Sequence, residues 1–151
     1  MSTDNQFNIR VYGLFINEKQ EILLADEERF GMRMTKFPGG GLQFGEGTVD
    51  CLKREALEEF GQEIEVIRHF YTTDFYQKSF FHDNHQLISI YYMAKFSEPE
   101  KFRIAQKSFD FEPGLKEIVS FRYKKINELN EEELSFPIER HVLGLLKKEI
   151  P

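Results

Sequence analysis

Residues 40–61 read GGLQFGEGTVDCLKREALEEFG, a glycine-rich stretch running into one dense in carboxylates. At about 100° per residue on a helix, Glu55, Glu58 and Glu59 stand at i, i+3 and i+4 and share a face. Val49, Leu52, Ala56 and Phe60 fall on a flank of the same helix, an apolar stripe that can pack on a sheet while the acidic edge stays accessible. Thr48 is the expected N-cap, Asp50 complements the positive end of the dipole, and Gly61 supplies a left-handed terminus. These cues predict a helix over 48–60.

Ahead of it, Phe37-Pro38-Gly39-Gly40-Gly41 permits backbone conformations and close approaches that side chains would block. The chain then passes through Gly45-Glu46-Gly47 into the helix, so backbone carbonyls and Glu46 can approach its acidic face. Oxygen-only donors of high charge density suit a hard ion such as Mg²⁺, which is commonly shared between carboxylates and substrate phosphates. No Cys/His zinc spacing competes.

The stretch resembles the Nudix box, G-x5-E-x7-R-E-U-x-E-E-x-G-U, with U a bulky aliphatic residue. Gly40, Glu46, Arg54, Glu55, Glu58, Glu59 and Gly61 fill all seven fixed positions. With each residue type at roughly one in fifteen, chance would give this about once in 10⁸ windows. Ala56 is small for U, and Gln62 replaces the last aliphatic residue; neither position supplies chemistry.

The resemblance implies that Glu55, Glu58 and Glu59 bind divalent metal, with the Gly40 carbonyl as a further ligand. Mg²⁺ is the expected ion, with Mn²⁺ as a substitute. Arg54 would brace the carboxylates by pairing with Glu58 or with Glu46 across the loop. Glu55 or Glu58 would orient or deprotonate the attacking water, unless a glutamate from a later loop does so, for which Glu112 and Glu117 are candidates.

The implied reaction is metal-dependent hydrolysis of a nucleoside diphosphate linked to another moiety, such as ADP-ribose or another sugar nucleotide. Metal ions would neutralise the clustered charge of the phosphoanhydride. Nucleoside triphosphates and dinucleoside polyphosphates are alternative substrates, and a non-catalytic nucleotide-binding regulatory module is the alternative of a different class. The implied fold is an α/β/α sandwich, a mixed sheet with helices on its faces.

The 151 residues suggest a single domain spanning 1–151, and 40% hydrophobic content with sixteen Phe is ample for a core. A net charge of −6 and pI near 5.3 argue against a general nucleic-acid or anionic-membrane surface, leaving a small-molecule nucleotide as the expected partner. A homodimer is a family-based expectation. The single Cys51 excludes an intrachain disulfide, and MSTDNQFNIR lacks the apolar core of a secretory signal, so a cytoplasmic setting is expected. Cys51 reads as a buried packing residue rather than a reactive thiol.

Residues 7–16 and 21–25 read as strands joined by a turn at Asn17-Glu18-Lys19-Gln20, with further strands at 64–72, 85–96 and 118–123. Both faces of 85–96 are expected to be buried. Pro137 opens a helical pattern over 138–148, and Asn130-Glu131-Glu132-Glu133 reads as a solvated turn.

Three groups carry the candidate substrate contacts. Arg29, Arg33 and Lys36, upstream of the glycines, are positioned to meet phosphate or ribose oxygens, or are solvated charges. In the segment from Asp74 to His85, rings such as Phe75 and Tyr76 can stack on a base, while His82 and His85 can meet a phosphate or a subunit interface. Residues 97–116 form a long stretch without periodicity, mixing Lys101, Arg103 and Lys107 with Glu112. It is either a substrate cover that returns a carboxylate to the metals or a peripheral insertion.

Overall fold

The expected strands and helices form, and two short strands lie between the second strand and the box helix. The computed structural model describes residues 4–150. Along the chain run β1 (Gln6–Phe15), β2 (Glu21–Arg29), β3 (Met32–Lys36), β4 (Gly39–Gly41), α1 (Thr48–Phe60), β5 (Ile64–Thr72), β6 (His85–Phe96), β7 (Val119–Lys125) and α2 (Pro137–Glu149). The architecture is mixed α and β, with a four-stranded sheet, a three-stranded sheet and two α-helices.

Two compact units result. The first joins the described residues before Leu14 to Gly39–Glu98, and the second joins Leu14–Pro38 to the described residues from Pro99 on.

In the first unit the strand order is β4-β1-β6-β5. β4 is antiparallel to β1, with Arg10 opposite Gly41, Val11 opposite Gly40 and Tyr12 opposite Gly39. Gly39 is required there: a Cβ would lie 2.1 Å from the Val11 carbonyl oxygen, which belongs to the neighbouring backbone and cannot swing away. α1 buries Cys51, Leu52, Ala56 and Phe60, and the Phe60 ring meets Phe96 edge-on at 5.2 Å.

Helix capping departs from the sequence reading. Gly47, not Thr48, is the N-cap, and it offers no side-chain cap. The Thr48 hydroxyl instead shares a 2.6 Å hydrogen bond with the Tyr92 hydroxyl, tying the helix start to β6. Gly61 ends the helix at φ +65°, donating its N–H to the Leu57 carbonyl. β6 also differs from expectation: of its twelve residues only Ser89, Tyr91 and Ala94 are buried, Lys95 is exposed and the others are half-covered.

The second unit holds an antiparallel sheet in the order β3-β2-β7. Ile22, Leu23, Leu24 and Ala25 are all buried, as a central strand covered on both faces requires. Asn17 builds the turn before β2, its side-chain carbonyl accepting the N–H groups of Lys19 and Glu21. Residues 97–116 form no named strand but are anchored: Ile104 makes a parallel bridge to Phe121, and Ala105 donates its N–H to the Phe121 carbonyl at 2.7 Å.

Pro137 occupies the first turn of α2, and Ile138, Val142, Leu143 and Leu146 form its buried stripe. Glu139 is also buried and accepts the Phe37 N–H through both carboxylate oxygens, at 3.1 and 3.3 Å. The run from Asn130 forms a 3₁₀ turn, Glu131–Glu133, closed by a reciprocal cap between Asn130 and Glu133. No described helix is long and apolar enough to cross a membrane.

Candidate active site

Gly45, at φ +96°, lets the loop between β4 and α1 turn sharply enough for Glu46 to fold back on Gln43. The Glu46 carboxylate accepts the Gln43 N–H at 2.9 Å, and the Glu46 N–H donates to the Gln43 carbonyl at 3.3 Å. This fixes the carboxylate opposite Arg54.

Arg54 then connects the whole constellation. Its Nε and Nη2 donate to the two oxygens of Glu46 at 3.0 and 2.7 Å, a bidentate pair. Nη2 also donates to the Gly41 carbonyl at 3.0 Å. Nη1 donates to Glu55 at 3.0 Å and to both oxygens of Glu58 at 3.3 Å. The Arg54 hydrogen bonds, foremost, hold the Glu46 carboxyl down at about 2, and the same pair raises the Arg54 guanidinium above its ordinary value.

Glu55 and Glu58 differ in surroundings. The Glu55 carboxylate sits against Gly40, where a Cβ would come within 2.3 Å of it, so glycine at 40 makes room for the carboxylate. Its side chain is 15% exposed, against 58% for Glu58, so Glu58 is the one that meets water. Glu59 is half-buried on the same helix. Cys51 is buried, and burial first, with its hydrogen bond to Glu46 second, pushes its thiol up to about 12, leaving it protonated and unreactive at neutral pH.

The donor chemistry fits a hard divalent ion. The available ligands are carboxylate and carbonyl oxygens, and Glu55 and Glu58 already converge on one cationic nitrogen, Nη1 of Arg54. A metal would take over that role. Among the described residues no three His, Cys, Asp or Glu side chains form a ready cage.

The remaining candidates divide between the units. In the second, Arg29 is exposed, with its guanidinium 5.0 Å from the Phe30 ring centre. Arg33 pairs with Glu28 at 3.3 Å and lies over Phe109 and Phe111. Lys36 is buried and pairs with Glu27 at 3.3 Å. Glu112 pairs with Arg103 at 3.4 Å, and Glu117 is exposed. In the first unit Phe75 and Tyr76 are exposed, and the rings of His82 and His85 lie 4.5 Å apart.

Sequence reading missed Arg10. Strand pairing sets it opposite Gly41, where a Cβ would lie 3.1 Å from Arg10 Nη1, so a half-buried cation lies beside the box loop. Its Nε donates to the Tyr12 hydroxyl at 3.2 Å, and Tyr12 stacks on Tyr91 at 5.2 Å. Only the register of β1 against β4 reveals this.

A sheet-backed helix presenting clustered glutamates beside a glycine strand defines a class of phosphoanhydride hydrolases, and the family comparison agrees. The model of the NUDIX domain matches residues 6–143, and the chain belongs to that family of hydrolases. Solved structures share the fold. The MutT protein from Methanosarcina mazei Go1 is 19% identical, with 98% of each chain covered and a TM-score of 0.70. A NUDIX hydrolase from Nitrosomonas europaea is 16% identical, covering 94% of this chain and 89% of that one at a TM-score of 0.69. An ADP-ribose pyrophosphatase from Streptococcus suis 89-1591 is 17% identical, covering 95% and 92% at 0.61. No curated protein sequence matches.

Proposed function

We propose that residues 1–151 act as one hydrolase domain cleaving a phosphoanhydride bond of a nucleoside diphosphate linked to another moiety, such as ADP-ribose or another sugar nucleotide. The observation that carries this reading is the convergence of Glu55 and Glu58 on Nη1 of Arg54, beside the room that Gly40 leaves. The likeness to the ADP-ribose pyrophosphatase from Streptococcus suis supports the substrate class.

Glu55, Glu58 and Glu59, with the Gly40 carbonyl, would hold Mg²⁺ or Mn²⁺. Bound there, the ion would supply charge neutralisation of the phosphates and a more acidic water. Glu46 and Arg54 keep the carboxylates aligned when no ion is bound. Glu58, the more exposed of the two converging carboxylates, accepts the proton of the attacking water, with Glu112 or Glu117 as the later-loop alternative. The water oxygen bonds to phosphorus, the bridging P–O bond breaks, and a nucleoside monophosphate and a second phosphate ester leave. Arg29, Arg33, Lys36, Phe75, Tyr76, His82 and His85 contribute substrate contacts, Lys36 only by giving up its pairing with Glu27. A cytoplasmic homodimer completes the reading.

The test is release of nucleoside monophosphate from sugar nucleotides, dinucleoside polyphosphates and nucleoside triphosphates with Mg²⁺ or Mn²⁺. Glu58→Gln should lower kcat by about 10²-fold or more, the range of a general base. Preference for triphosphates would move the substrate class. Nucleotide binding without turnover of any compound would favour a regulatory module.

A further inference from the structure

Upstream of the Val11–Gly40 pairing, the start of β1 forms one wall of an open concavity of about 320 Å³. Asn5, Gln6 and Phe7 line that wall, and Tyr76, His85 and Gln86 line the other. The volume falls within the range of small-molecule sites. Its chemistry is distinctive for a protein of net charge −6: the lining contains no carboxylate, lysine or arginine among the described residues.

The walls are fixed by hydrogen bonds to backbone carbonyls. The Gln6 N–H donates to the Asn84 carbonyl at 2.8 Å, and the Asn84 side chain donates to the Asp4 carbonyl at 2.6 Å. The Tyr76 segment is held by Leu87 N–H to the Gln77 carbonyl at 2.8 Å and by Ser79 N–H to the His85 carbonyl at 2.9 Å. The side-chain amides of Asn5, Gln6 and Gln86 have no hydrogen-bond partner among the described residues. Phe7 and Tyr76 are 67% and 69% exposed, leaving two π-faces in water.

Carboxamides that both donate and accept, set beside aromatic faces and without charge, match a planar heterocycle with mixed hydrogen-bonding edges. Asn and Gln pair with base edges, and aromatic rings stack on any base. A phosphate would find no lysine or arginine there.

We propose that this concavity binds a nucleobase of the substrate. The inference rests on the hydrolase reading above and deepens it. From Phe7 to Val11 is four strand residues, about 13 Å at 3.3 Å each. Val11 pairs with Gly40, against which the Glu55 carboxylate sits. A ligand spanning both places carries its base at the far end of an extended molecule, as a nucleotide conjugate does.

The first experiment needs no turnover. Adenosine, guanosine, uridine and cytidine are titrated separately into the labelled protein, with glucose as the sugar control, and the side-chain NH₂ resonances of Asn5, Gln6 and Gln86 are followed by NMR. Saturable shifts with at least one nucleoside, absent with glucose and weakened at least tenfold in Tyr76→Ala, are expected. The second experiment compares kcat/KM for base-bearing substrates with that for 5-phosphoribosyl diphosphate, which has no base. In Tyr76→Ala and Gln86→Ala this ratio should fall at least tenfold. Amide resonances that stay still to millimolar nucleoside, equal shifts with glucose, or an unchanged ratio would overturn the proposal. Absence of all turnover alongside nucleoside-specific shifts would overturn the hydrolase reading and leave base binding standing.

Discussion

Glu46 shows how one residue couples sequence spacing to pH. Its carboxylate accepts two hydrogen bonds from Arg54 and one from the Gln43 N–H, so folding favours its ionised form. The carboxyl titrates at about 2 instead of its ordinary 4.5, because the Arg54 hydrogen bonds are the largest influence. A depressed carboxylate contributes stability that is fully present above the unfolded value and is lost as pH falls through the folded one. Acid should therefore loosen the loop before α1 between about 4.5 and about 2. In Glu46→Gln the pH dependence of unfolding in that window should flatten relative to the native chain, as measured by urea midpoints at successive pH values. An unchanged slope would show that the pair contributes nothing to folding. The bidentate geometry also explains why lysine would be a poor replacement for Arg54: a point charge cannot engage Glu46 through two parallel bonds and still reach Glu55 and Glu58.

Among the elements, the box helix was legible because its information is local: periodicity, the carboxylate spacing and Gly61 all lie within one continuous stretch. β3 and β4 were not. Met32–Lys36 alternates apolar and polar over only four residues, too short a run to stand out, and Gly39–Gly41 has no side chains to alternate. β2 runs beyond its apolar run because Glu27, Glu28 and Arg29 find partners in β3. The anchoring of residues 97–116 was equally hidden, since beside its pairing with Phe121 it depends on Asp26, far away in sequence. Asp26 is fully buried and accepts the Thr35 hydroxyl at 2.7 Å, Arg122 Nε at 2.7 Å and the Phe109 N–H at 3.1 Å. One carboxylate thus joins β2, β3, β7 and the long segment. Asp26→Ala would leave Arg122, itself only 7% exposed, as an uncompensated buried charge. Breaking a buried pair in this way costs about 3–5 kcal/mol. Chemical denaturation should show that loss, with faster amide exchange at Phe109; a loss below about 1 kcal/mol, the range of exposed pairs, would show that water replaces the carboxylate.

At the scale of the whole chain, each compact unit is assembled from two separated segments, so neither is a contiguous piece of sequence. The unit that carries the box illustrates the consequence. Gly39–Glu98 contains β4, α1, β5 and β6, but the strand between β4 and β6 is β1, which lies before it in the chain. Without β1, Gly39–Gly41 has no strand to pair with, because its register is set by Arg10, Val11 and Tyr12, and only the Gly41 carbonyl keeps a partner within the segment, in Arg54 and Cys51. Glycine residues supply no side-chain burial to compensate, and the backbone groups of β4 that pair with β1 would lose their partners. The helix would lose the edge of sheet that gives Gly40 its place beside Glu55. A fragment of residues 39–98 should therefore fail to form a cooperative fold, giving collapsed amide dispersion by NMR and no sigmoidal urea transition. A fragment of 39–98 with native-like dispersion and a cooperative transition would show that α1 packed on the β5–β6 hairpin suffices and that β1 contributes only the site. The box, whose motif is local in sequence, would then also be local in folding. The strand pairing argues the opposite: the motif can be read from 22 consecutive residues, but the place where its carboxylates converge is built only when the beginning of the chain closes against β4.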